Sequence, residues 1–150
     1  MYSILDLSAD RPAPLTSPPS QATIGVASFS VQAGFPSPAE DHAAKRIDLN
    51  DVLIKHPQAT FLMRVSGASM REAGIDDGDV VLVDRAIKPA HGHVVVAVVD
   101  GDFTVKRLWK RGSNIKLKAE NPTYPDIVPK DGQTVEIWGV VTNAIKSMRV

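Results

Sequence analysis

The run Val94-Val95-Val96-Ala97-Val98-Val99-Asp100-Gly101-Asp102-Phe103-Thr104-Val105-Lys106-Arg107-Leu108-Trp109 sets the architecture. Its first six residues are apolar and mostly β-branched, too short a run for a helix and well suited to a strand. Asp100-Gly101 is a hairpin signal, because a tight two-residue turn needs residues that tolerate positive φ. Residues 103–109 are then the antiparallel return strand. Outward from this hairpin, residues 60–65 and 80–84 read as earlier strands, the second entered through the Asp77-Gly78 turn. Arg111-Gly112-Ser113-Asn114 turns the chain into a strand over residues 115–119. Asn121-Pro122-Thr123-Tyr124-Pro125 is loop, and residues 135–141 and 144–148 complete the set. Short strands at regular intervals, separated by Gly or Pro, predict a mainly β fold: one compact domain of short, mostly antiparallel strands.

The 150 residues fit one ordinary domain with some length left over. Seventeen basic and 17 acidic residues give zero formal charge, so nothing global pulls the chain toward nucleic acid or an anionic membrane. The absence of cysteine excludes disulfides, a cysteine nucleophile and a zinc-thiolate site. Of the four histidines, only His91 and His93 are close, across Gly92, and no third ligand is in view; they read as a turn, with no metal and no cofactor. No window approaches the roughly 18 apolar residues of a membrane span. Met1-Tyr2-Ser3-Ile4-Leu5-Asp6 lacks the basic start and apolar core of a secretory signal, so a cytoplasmic protein is expected.

Residues 10–38 differ from the rest. Pro12, Pro14, Pro18, Pro19, Pro36 and Pro38 are more than half of the 11 prolines in the chain. Proline fixes φ and removes a donor, so this region reads as an extended N-terminal arm. Within it, residues 24–31 are more apolar and β-prone, able to dock as a strand on a partner surface. Ser37 as N-cap, Pro38 at the first position and Glu40 at the third predict a short helix ending near Asp48, with a further turn over residues 51–54. The expected boundaries are an arm over residues 1–45 and a folded domain over 46–150.

A serine attacks only once a base takes its proton, and without cysteine the candidate bases are histidine and neutral lysine. No histidine is placed near Ser69 by the sequence. Lys106 lies in an apolar strand, where loss of water would lower its affinity for the proton. Thr104, two residues earlier, points to the same face and can hold the amine in line with Ser69. The plainer reading stands beside this one. Strict alternation alone makes Lys106 an exposed lysine, and Ser66-Gly67-Ala68-Ser69 alone is only a turn.

The set of motifs separates the two readings. Val65-x-Gly67-x-Ser69-Met70, Gly74-Ile75-x-Asp77-Gly78-Asp79, Val83-Asp84 and Thr104-Val105-Lys106-Arg107-Leu108 together resemble the LexA/UmuD family of self-cleaving serine-lysine proteases. The Ser69-to-Lys106 spacing is similar to the family's, as are Asn121-Pro122 and Gly139-Val140-Val141. The likeness covers residues 65–141. Gly34-Phe35-Pro36-Ser37-Pro38-Ala39 and Arg46-Ile47-Asp48-Leu49-Asn50 make it most similar to the UmuD branch. The arm is too short and too rich in proline for the winged helix-turn-helix of the repressor branch.

The resemblance implies an autoproteolytic serine endopeptidase with Ser69 as nucleophile and Lys106 as general base. It implies cleavage before a glycine, at Ala33-Gly34, where two small residues fit a narrow cleft; Ile24-Gly25 is the poorer match. The oxyanion would rest on the N–H groups of Ala68 and Ser69, such donors being worth about 3 kcal/mol each. The resemblance further implies a homodimer, stimulation by a RecA filament on single-stranded DNA in the SOS response, and service of the processed form to a UmuC-type Y-family polymerase in translesion synthesis. Three readings compete: an inactive β interaction module, a LexA-like repressor fragment, and a signal peptidase, which shares the dyad but needs a membrane anchor.

Overall fold

The structure, a computed structural model, describes residues 22–27, 30–36 and 43–150. The boundary between two compact units falls between Lys55 and His56.

In the N-terminal unit, β1 (Thr23–Ala27) pairs antiparallel with β2 (Ala43–Asp48), with Ile24 opposite Ile47. The helix predicted to end near Asp48 is therefore corrected. Residues 43–48 are strand, and the Ser37 cap at its start lies outside the described residues. The cap motif is a local signal, and it loses to pairing: β2 gains a ladder to β1 and the Arg46 Nε donor to Thr23 Oγ1 at 3.0 Å. The β-prone stretch after residue 23 thus meets a strand of its own chain. Asp48 accepts the N–H of Asn50 at 2.9 Å and caps the single turn α1 (Leu49–Leu53), where the further turn was expected.

The C-terminal unit is one six-stranded antiparallel sheet. Its strands are β3 (Thr60–Arg64), β4 (Val80–Asp84), β5 (Val94–Val99), β6 (Asp102–Arg111), β7 (Asn114–Lys118) and β8 (Val135–Ile145). Their spatial order is β3-β4-β8-β5-β6-β7. The mainly β, antiparallel fold read from the sequence is the one observed. Asp100 and Gly101 both take positive φ, +48° and +89°, as the hairpin demands. Asp100 is held there by its own carboxylate, which accepts from Thr134 N and Gln133 Nε2.

β4 is apolar on both faces and wholly buried, as its Val-Val-Leu-Val sequence dictates. Val81 and Val83 join Val96, Met70 and Ile75 in one core cluster. Val95, Ala97, Leu108 and Leu117 form the other. The two strands expected over residues 135–148 are one continuous strand. Register breaks opposite Leu82/Val83 and Val96/Ala97 let β8 bend while it stays paired on both sides. Gly139 leaves no space toward β4: a Cβ there would lie 2.6 Å from Val83 Cγ1.

Candidate active site

The loop that follows β3 is held from two directions. On one side, Val65 N donates to Asp79 O and Gly78 N to Val65 O, both at 2.8 Å. The Asp77 carboxylate accepts the N–H of Gly67 at 2.7 Å. Gly67 sits at φ +95°, a conformation that costs glycine little. On the other side, Glu120 N donates to Ser69 O and Asn121 Nδ2 donates to Ala68 O, each at 2.8 Å. Met70, 2% exposed, anchors the end of the loop in the core.

Asp79 adds a third support. Burial alone would raise its carboxyl pKa, but the Lys146 ammonium and the Asp76 N–H outweigh burial and hold it below the ordinary carboxylate range. The same Lys146 reaches Asp76 at 2.7 Å.

Lys106 meets this loop from β6. Its alternation partners Thr104 and Leu108 share its face, and that face is the inner one, because β5 lays Val95 opposite Lys106 and Ala97 opposite Thr104. The lysine is only 8% exposed, so the exposed position that alternation alone suggests is not the one observed. Its Nζ lies 2.8 Å from Ser69 Oγ, 3.0 Å from Thr104 Oγ1 and 3.1 Å from Val105 O. No ion pair to Lys106 exists among the described residues. Burial lowers the affinity of the amine for a proton, and no neighbouring anion restores it.

Those three contacts are ones that a neutral amine can make. In the neutral form its two N–H bonds would donate to Thr104 Oγ1 and Val105 O and leave the lone pair facing the Ser69 hydroxyl. Ala68, Ser69, Thr104 and Lys106 line one cleft, with Phe103 and Tyr124 at its walls. Among the described residues no acceptor takes the N–H of Ala68 or Ser69. Ala33 and Gly34 lie in an exposed bend of the N-terminal unit.

No histidine lines the cleft. His91 Nδ1 accepts from Lys110 N and His93 Nδ1 from Ala90 N, which fastens the turn between them. His56 pairs with the buried Asp84 at 2.6 Å. Burial would raise Asp84, but His56 and the Ala86 N–H hold it below the ordinary range. Among the described residues, no three His, Cys, Asp or Glu side chains cluster as a metal site, and no helix is long and apolar enough to cross a membrane.

Residues 24–142 match the peptidase S24-like family.

The chain belongs to the peptidase S24-like family.

The S24-like match takes in the 33–34 segment as well as the sheet. ImpA of Salmonella typhimurium is 46% identical over 119 residues, covering 79% of this chain and 80% of that protein. SamA of Salmonella typhimurium is 44% identical over 131 residues, 87% of this chain and 91% of that protein. MucA of Escherichia coli is 42% identical over 117 residues, 77% and 79% respectively. These are UmuD-type relatives, and the S24-like family to which the chain belongs is one of self-cleaving serine proteases of the SOS response.

The sequence reading missed the residues that hold the nucleophile loop, Asp77, Glu120 and Asn121. Asp77 was visible as a turn residue and Asn121 as part of an Asn-Pro loop, both within the family-like motifs, but neither with a role in holding the loop.

Proposed function

We propose that this S24-like chain cuts its own arm between Ala33 and Gly34, with Ser69 as nucleophile and Lys106 as general base. The observation that carries the reading is the 2.8 Å approach of a buried, unpaired lysine amine to a serine hydroxyl. Neutral Lys106 takes the Ser69 proton as Oγ attacks the Ala33 carbonyl carbon. The N–H groups of Ala68 and Ser69 receive the oxyanion. As the tetrahedral intermediate collapses, the bond to Gly34 breaks and Lys106 gives its proton to the Gly34 nitrogen. Lys106 then removes a proton from water, which hydrolyses the Ala33 ester and frees Ser69. Thr104 keeps the amine directed at Ser69 throughout.

In this reading residues 1–45 are the arm and 46–150 the protease and dimerisation domain. About 26 residues separate Gly34 from Thr60, each spanning up to ~3.3 Å, so the arm can enter its own cleft or that of a second copy. A homodimer, stimulation by a RecA filament on single-stranded DNA, and delivery of the shortened dimer to a UmuC-type Y-family polymerase complete the proposal. These follow from the family resemblance and from no contact in this chain.

The test is incubation of the full chain with and without RecA filament, followed by intact mass. Wild type sheds residues 1–33, while Ser69→Ala and Lys106→Ala each stay whole. A wild type that stays whole with filament present favours the inactive β module.

A further inference from the structure

Against the nucleophile loop, outside the lining of the cleft, one buried side chain has a geometry that loop closure alone does not call for. Asn121 is 9% exposed and does not line the cleft. Its Nδ2 donates to the Ala68 carbonyl at 2.8 Å. Its Oδ1 accepts from both Thr123 N, at 3.1 Å, and Thr123 Oγ1, at 2.9 Å. The Thr123 N–H fixes which end of the amide faces Ala68, because a flipped amide would set an oxygen against a carbonyl and its NH2 against that N–H.

The consequence runs through one peptide plane. In a trans peptide the C=O of Ala68 and the N–H of Ser69 point in opposite directions. A donor that holds the carbonyl at the back of the loop therefore turns the Ser69 N–H to the front, where no acceptor among the described residues takes it. The neighbouring Gly67 N–H is already spent on Asp77. Resting on the reading of Ser69 as nucleophile, we propose that Asn121 is the positioning residue of the oxyanion site: its amide, locked by Thr123, aims the Ser69 N–H into the cleft. The loop that carries it is itself tied to the strand of the general base. Arg107, next to Lys106, donates to the Glu120 carboxylate and, at 2.7 Å, to Gly92 O. The Glu120 N–H holds Ser69 O. The base, the nucleophile and the oxyanion donor thereby share one scaffold.

The experiment uses the full chain and Asn121→Asp, which keeps shape but sets an oxygen against the Ala68 carbonyl. Loss of one preorganised oxyanion donor slows such reactions about 10²–10³-fold, and cleavage falls by about that factor. A peptide boronate carrying boron in place of the Ala33 carbonyl carbon forms a tetrahedral anion on Ser69, and it loses affinity in parallel. The uncut peptide spanning residues 30–36 binds the Ser69→Ala chain and the Ser69→Ala, Asn121→Asp chain equally. If Asn121→Asp proves unfolded by thermal melt, Thr123→Val, at an exposed position, gives a smaller loss of the same pattern. Boronate and uncut peptide losing affinity together overturns the assignment. Asn121→Asp cleaving within twofold of an active wild type overturns it alone. A wild type that neither cleaves nor binds boronate overturns both it and the reading of Ser69.

Discussion

Asp77 and Gly67 are joined across ten residues of chain by a single bond, the carboxylate Oδ1 accepting the Gly67 N–H at 2.7 Å. That bond closes the turn that presents Ser69. Asp77 is exposed, so its removal leaves the core intact and acts on the loop. Asp77→Ala should cost about 1–2 kcal/mol of stability, the worth of a charge-assisted bond. It should slow self-cleavage about ten- to hundredfold, because small misplacements of a nucleophile are expensive. Denaturant midpoint and cleavage half-life, measured on the same preparation, check the two effects.

Lys106 makes a prediction about stability as well as rate. Burial depresses its pKa below the unfolded value of 10.5. The unfolded chain then binds more protons over the interval between the folded value and 10.5, so the stability of wild type rises with pH across it. Lys106→Met removes this dependence. The variant should gain stability relative to wild type at neutral pH, and the gain should shrink as pH climbs toward 10.5. Urea unfolding at several pH values reads the slope.

Asp79 gives a slope of the same sign in an acid window, stability again rising with pH. Its pKa is held below the ordinary value of 3.8, so its contribution is present above that value and is lost as pH falls through the folded pKa. Lys146 is the partner that overcomes the burial of Asp79. Lys146→Met leaves a buried carboxylate without its cation, and the acid-unfolding midpoint should move to higher pH. Fluorescence of Trp109 and Trp138 through an acid titration follows the shift.

Gly139 tests the packing of the sheet. A Cβ at this position meets Val83 Cγ1 at 2.6 Å, and Val83 is wholly buried with no room to yield. Gly139→Ala should destabilise by about 1–3 kcal/mol through overpacking, without altering the pH dependence of cleavage. Thermal melting and the pH-rate profile together check it.

Much of the sheet was legible because its signals are local. The apolar run of β4 and the β5–β6 hairpin with its Asp-Gly turn need no distant partner to be read. Residues 43–48 were misread for the complementary reason. Their cap-like beginning is local, while the pairing of Ile47 with Ile24 spans the arm. The unbroken β8 was hidden because bulges at Trp138 and Thr142 disturb the alternation that marks a strand. At the site, alternation placed Thr104 and Lys106 on one face but not which face is inner; Val95 and Ala97 on β5 decide that. Asn121 was beyond sequence reading, since its role depends on reaching Ala68 across 53 residues.

The central claim is that an uncharged Lys106 deprotonates Ser69 for attack at Ala33. The most direct measurement is the rate at which the full chain yields a product beginning at Gly34, followed by intact mass from neutral pH to about 10. The account predicts a rate that climbs with pH and levels off below the free-lysine value of 10.5, as the buried amine loses its proton. A rate flat across that range, a product starting elsewhere than Gly34, or cleavage surviving in Lys106→Ala would contradict it.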